Sequence, residues 1–257
     1  MTSSTRSALC AFAVLAAIGA AAQTDGGPYV GVSASGSFYD VDYSKAVDNT
    51  SPANVSANAG RVIRASAAAD SATWDAGVLA GYRLPLGSLY LDIEGDLVLH
   101  QGSVSSHLAG QGTSPLRNQL GDVWPEDWSL TKQRSLGATA RIGWEIPALG
   151  ASAYALFGLR RLDADFETAY TGCLSPMGCA PGELTSGEEQ HDESFDARTF
   201  GAGLEKAFGG AAIRGEFRYT DHGSSTRTVP FTEVAVTVPV ELATSEFGAG
   251  VSLIWRL

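Results

Sequence analysis

The run from Ser245 to Leu257 restricts the fold more than any other stretch of the chain. Counting back from Leu257, every second residue is apolar: Leu257, Trp255, Leu253, Val251, Ala249 and Phe247. The residues between them are mostly small or polar. A period of two marks a strand whose faces meet different surroundings. Seven further stretches alternate in the same way, at about residues 28–43, 73–83, 88–101, 133–146, 151–166, 197–208 and 211–222. In lipid every backbone N–H and C=O must be paired within the protein, so strands with an apolar outer face are usable only in a closed barrel. The chain after its N-terminus shows no helical periodicity and no repeat beyond the hairpins.

The connections alternate between short and long. Leu84–Gly87, Pro147–Gly150 and Gly209–Gly210 read as tight turns, because Gly and Pro sit where the chain must reverse. Residues 44–72, 102–131, 167–196 and 223–243 read as long polar segments. Barrels of bacterial outer membranes have short periplasmic turns, long extracellular loops and an even strand number. The predicted fold is therefore all-β: an eight-stranded antiparallel up-and-down transmembrane β-barrel with both termini on the periplasmic side. In the first strand Val30, Val32, Ala34 and Phe38 share a face. Gly36 and the shift to Tyr39, Val41 and Tyr43 predict a bulge there. The Val-rich run Val234–Val240 is expected to extend its neighbouring strands as a hairpin arm.

Residues 1–22 read as a secretory signal, with Arg6 as the positive region, Ala8–Ile18 as the apolar stretch and Ala20-Ala21-Ala22 as the cleavage site. That leaves 23–257 for the barrel. The rival, a membrane-anchor helix, would need a longer apolar stretch. The formal charge is −11, and removing Arg6 makes it one unit more negative. No basic patch offsets this, which excludes nucleic acid as a partner. Two cysteines remain after processing, Cys173 and Cys179. Pro176 and Gly178 lie between them and let the chain double back, so a disulfide is predicted in an oxidising compartment. A metal pair is the rival, but no His or further Cys lies at ligand spacing. No cofactor motif is present. Gly201-Ala-Gly203 and Gly248-Ala-Gly250 lack the strand–turn–helix context of a phosphate loop.

The faces opposite the apolar ones carry Asp75, Asp92, Glu94, Asp96, Glu145, Glu205 and Glu216, together with Arg83, Arg141, Arg160, Arg214 and Arg218. An eight-stranded barrel is just wide enough for side chains to fill it, and an unpaired buried charge is very costly. These residues therefore predict a plug of paired charges, with a narrow gated ion path as the alternative. A soluble ligand-binding barrel would turn apolar faces inward, which these charges oppose. Asp92, Glu94 and Asp96 could serve a hydrolase as a carboxylate pair. His100, or His222 with Ser224 or Ser225, could build a Ser–His–acid site. The stretch Glu188–Glu193 reads as a solvated loop tip, with Ca²⁺ binding as the alternative. Trp74, Tyr82, Trp144, Tyr219 and Trp255 read as membrane girdle residues.

The stretch Phe217-Arg218-Tyr219-Thr220-Asp221, with Pro28–Val32 and Gly248–Val251, resembles the small outer-membrane β-barrel family of opacity-type proteins and relatives of the OmpA barrel. The resemblance covers residues 27–257. It implies a non-enzymatic protein of the Gram-negative outer membrane, among lipid and lipopolysaccharide. It further implies recognition by the outer-membrane assembly machinery through the last strand, and loops exposed for adhesion or host contact. Members usually end on Phe, whereas this chain ends on Leu257 with Trp255 two residues before it. A small porin-like diffusion channel and a lipid-modifying barrel enzyme are the other functions expected of such a fold.

Overall fold

A computed structural model describes residues 26–257 apart from 115, 116 and 176. The signal segment expected at 1–22 lies outside the described residues. Nine strands follow in order: β1 (Gly27–Asp48), β2 (Val62–Leu86), β3 (Leu89–Gln101), β4 (Ser103–Leu108), β5 (Glu126–Ile146), β6 (Ala151–Gly172), β7 (Thr185–Phe208), β8 (Ala211–Phe231) and β9 (Val236–Arg256). Each pairs antiparallel with its neighbours, and β1 pairs with β9. β3 and β4 both pair with β5 and are separated only by Gly102 at φ 138, so they act as one broken stave. The nine strands thus close a ring of eight staves, an up-and-down barrel.

The staves are far longer than a membrane crossing needs. β1 has 22 residues, whereas about 9–11 suffice to span at a tilt. At about 3.3 Å per residue and a tilt near 40° such a strand rises about 55 Å, roughly twice the apolar band of an outer-membrane barrel. Three of the four long segments are correspondingly shorter than expected and shrink to 49–61, 109–125 and 173–184, while the fourth becomes a turn at 232–235. The Val-rich arm does form, with Phe231 opposite Val236 and Val229 opposite Val238. The tight turns at Pro147–Gly150 and Gly209–Gly210 are as placed, whereas the first lies at Gly87–Ser88, because Leu84–Leu86 continue β2 in register with β3.

The bulge expected at Gly36 is absent, because β1 keeps unbroken register with both neighbours from Tyr29 to Lys45. Tyr39, Val41 and Tyr43 are apolar on the inward face instead, and Asp40 and Asp42 point out. In this upper half the inside is the core. Tyr39, Val41, Tyr43, Leu130, Leu162, Phe166, Phe195 and Leu242 belong to one buried cluster. Small residues of β2 complement the bulky ones of β1: Ala67 lies opposite Tyr43 and Ala69 opposite Val41. Register shifts occur elsewhere, between Lys132 and Arg134 in β5 and between Asp221 and Gly223 in β8.

In the lower half the pattern is reversed. Val32, Phe38, Val78, Ile93, Leu136, Ile142, Phe217 and Val251 are exposed on the outside. An unbroken set of cross-strand pairs joins Phe157, Phe200, Tyr219, Phe247 and Phe38 across five adjacent staves. That aromatic row, with Trp74, marks where the outer surface changes from apolar to polar. Trp144 and Trp255 lie toward the other end, near the short turns.

Candidate functional site

The inward side chains of the lower half are held by strand alternation, so residues two apart on one stave stack along the axis. Arg83 grips Asp92 (2.8 and 2.7 Å) and Glu205 (2.7 and 2.8 Å) through paired hydrogen bonds. Arg214 joins Glu205 at 3.0 Å, Glu94 at 2.7 Å and Asp92 at 3.4 Å. Arg141 meets Glu94 at 2.7 Å and Glu216 at 3.6 Å. Tyr29 and Tyr154 donate hydroxyls to Glu94 (3.1 Å) and Glu216 (2.9 Å). Above these, Arg218 binds Glu216, and Arg160 holds Asp96 at 2.7 Å.

The structure places all twelve predicted interior charges on the inner face; Glu145, half-buried at the lower rim, shares a cross-strand row with Ser152, Glu205 and Arg214. Three charges that the sequence reading passed over complete the stack. Lys132 bridges Asp75 (3.6 Å) and Glu246 (2.9 Å), and Arg256 reaches Glu205 at 3.4 Å. Lys132 was hidden because the β5 register shift moves it onto the inner face. Glu246 was legible, since it alternates with Phe247 on the last strand. The cations are then Arg83, Lys132, Arg141, Arg160, Arg214, Arg218 and Arg256, and the anions Asp75, Asp92, Glu94, Asp96, Glu205, Glu216 and Glu246. Each of these cations lies within 4 Å of a carboxylate, the pairing that buried charges require.

None of the carboxylates Asp92, Glu94 and Asp96 is left as a working pair, because each is engaged by arginine. One triad-like arrangement does occur. His100 Nδ1 meets Asp75 Oδ1, and His100 Nε2 lies 2.9 Å from Ser135 Oγ. Ser135 is 1% exposed and also accepts from Arg160 Nη1 at 2.7 Å. A nucleophile needs space for its substrate, and here the hydroxyl is enclosed by the plug. His222 is not brought to Ser224 or Ser225: it lies 3.5 Å from Glu246, while Ser225 donates to Glu193 at 2.6 Å. A cavity of about 70 Å³ lies among Ser33, Asp96, His100, Glu216, His222 and Glu246. That is room for a few ordered waters among polar partners.

The acidic stretch Glu188–Glu193 is strand β7 rather than a loop tip. Its alternate residues therefore face opposite sides, Glu188 and Asp192 outward, Glu189, His191 and Glu193 inward. The resemblance motif is divided likewise. Phe217 stacks on Phe247 (6.5 Å) and Tyr219 lies in the outer aromatic row. Arg218 and Thr220 point inward, Thr220 lying 3.1 Å from Thr199, and Asp221 closes the β8 bulge by accepting from Gly223 N–H at 2.9 Å.

At the outer end a second cavity of about 510 Å³ opens between the loops. Tyr43, Trp124, Tyr170, Val229, Val236 and Val238 are among its walls. Tyr43 donates to Glu126, and Lys45 Nζ donates to the same carboxylate at 2.5 Å. Burial, then the Glu126 charge, pushes the Tyr43 hydroxyl pKa up. Cys173 and Cys179 are joined in the adjoining loop, with Cα atoms 5.8 Å apart.

The sequence matches the family described as outer membrane protein beta-barrel domain over residues 7–254. The chain belongs to that family. As a member of this outer-membrane barrel family it resides in the outer membrane of a Gram-negative bacterium, among lipids and lipopolysaccharide. Solved structures with similar folds include the outer membrane protease OmpT from Escherichia coli, at 7% identity and TM-score 0.45 over 93% of this chain and 100% of that one. Ail, the attachment invasion locus protein of Yersinia pestis, is 14% identical with TM-score 0.29 over 85% of this chain and 98% of its own. Neisserial surface protein A is 13% identical with TM-score 0.32 over 87% and 97%. No curated protein matches the sequence. These relatives include a protease and an attachment protein, and at such identities none lends its role to this chain.

Proposed function

We propose that this barrel is a non-catalytic, non-conducting surface protein whose protruding half meets ligands or host surfaces outside the cell. It reaches the envelope through a signal removed after residue 22 and is folded in by the assembly machinery acting on its last strand. The observation that carries the reading is the filling of the lumen at two levels: a plug of ion-paired cations and carboxylates below, and an aromatic and aliphatic core above. Val55, Leu174, Met177 and Phe231 are exposed on the loops and turn at the outer end, where contact with a partner would bury them.

Planar-bilayer recording of the refolded protein tests conduction, with silent membranes expected and stable porin-sized steps against the reading. A serine-directed fluorophosphonate tests catalysis, since an active Ser135 would be labelled and an enclosed one would not. The small gated channel remains the second reading, favoured by the 70 Å³ polar cavity within the plug. Rare, small openings would support it.

A further inference from the structure

We propose that the outer cavity is a blind binding site for a small, non-anionic, mainly apolar molecule. The inference deepens the surface-protein reading and rests on it, because a plugged lumen makes the site a receptor and not an entrance. Three features set the ligand's chemistry. Size comes first: about 510 Å³ lies within the range that holds drug-sized molecules. Polarity follows from the walls, where Val229, Val236 and Val238 face Tyr43, Tyr170 and Trp124. Water in such a place finds few partners, so an apolar body replaces it favourably.

Charge is the third feature. Lys45 is bound to Glu126 at 2.5 Å and Arg227 to Glu193 at 2.8 Å, and the Glu189 carboxylate lies 3.4 Å from His191. An anion would have to break one of these pairs or stand beside Asp122, Glu189 and Glu233, which also line the cavity. An uncharged ligand need not.

The floor is closed. Tyr43 packs edge-on against Phe166 (5.1 Å) and Trp128 (5.7 Å), and both partners are fully buried. The ligand therefore enters and leaves from outside.

The test uses the full-length processed protein in lipid nanodiscs, labelled with 5-fluorotryptophan. Its five tryptophans separate binding from partition into lipid. Trp124 lines the cavity, Trp128 lies in its floor, and Trp74, Trp144 and Trp255 face outward. Neutral 1-naphthol is the probe. We expect the Trp124 ¹⁹F resonance to shift saturably while the outward tryptophans drift without saturation. Val238→Phe, which places a ring in the cavity, should remove the saturable shift, and 1-naphthalenesulfonate should not produce one. Should Val238→Phe fail to fold, as judged by heat-modifiable migration, Val229→Phe serves in its place. A Trp124 shift that only tracks the outward tryptophans overturns the site. So does saturation unaffected by the filling variant, or equal saturation by the sulfonate. Failure here with silent bilayers removes the ligand site alone, whereas porin-sized conductance removes the reading beneath it.

Discussion

The lower and upper halves of this barrel use the same alternation in opposite senses. On β1, Val30, Val32 and Phe38 point out while Ser33, Ser35 and Ser37 point in; one step later Tyr39, Val41 and Tyr43 point in while Asp40 and Asp42 point out. The register never slips. What changes is the medium. Below the aromatic row the outside is hydrocarbon, so apolar side chains face it and charges are confined to the lumen and paired. Above it the outside is water, so the strand is patterned as in a soluble protein, with acids outside and a packed apolar core within. β6 makes the same change between Leu159 outside and Leu162 inside, and β7 between Phe200 and Phe195. Each stave thus belongs to two solvents at once, and the change of side records the membrane boundary.

The largest expected effect tests the plug. Arg214→Met removes the cation shared by Asp92, Glu94 and Glu205 and strands buried carboxylates. Breaking a buried pair costs about 3–5 kcal/mol, so urea unfolding of the refolded barrel should show a loss of that size, or the variant should fail to refold. A core truncation in the upper half, Phe166→Ala, should cost a similar 3–5 kcal/mol by lost burial and a cavity. If Arg214→Met were neutral, the lower interior would be solvated and the two halves less different than described.

A matched pair on one face of one strand sharpens the contrast. Val32→Arg puts a charge into hydrocarbon and should cost about 2–4 kcal/mol near the midplane. Asp42→Arg, ten residues on and facing water, should stay within about 0.5 kcal/mol. Equal costs would erase the boundary between them. Reducing the Cys173–Cys179 bridge should cost about 2 kcal/mol by loop closure, confined to the upper half. Intact-mass analysis with thiol alkylation checks that the bridge forms in cells.

The smallest effect is a pH dependence. The folded pKa of Tyr43 is raised, by burial first and by Glu126 second. A raised acid is favoured neutral in the folded state, so its contribution is fully present below the unfolded value near 10 and is lost as pH rises beyond it. Thermal unfolding scans above pH 10 should show wild type losing stability faster than Tyr43→Phe.

Much of the lower half was readable in the sequence. Its outward faces alternate cleanly, and the twelve interior charges follow from that parity. The upper half was misread for a physical reason. Residues 64–72 of β2 are Ser, Ala, Arg and Asp, with small inward alanines opposite Val41 and Tyr43, so no apolar face announces a strand. The acidic start of β7 is similarly polar, and places Asp192 directly opposite Asp165. Like charges across a pair are unfavourable, and only the inward Phe195 and the water outside make the strand acceptable. The supposed bulge at Gly36 was the change of solvent, seen without knowledge of where the membrane ends. Lys132 escaped notice because a real register shift lay next to it. The outer cavity depends on Val229, Val236 and Val238 converging with Trp124 from a distant loop, which spacing alone does not reveal.

The position of the boundary can be measured directly. Nitroxide labels placed singly at 30, 32, 38, 40, 42 and 44 along the outward face of β1, in reconstituted bilayers, report oxygen against a water-soluble nickel chelate. The inversion described here predicts oxygen-dominated relaxation through 38 and nickel-dominated relaxation from 40 onward, with the same face exposed throughout. Oxygen dominance continuing through 44, or an exchange of faces at Gly36, would contradict it.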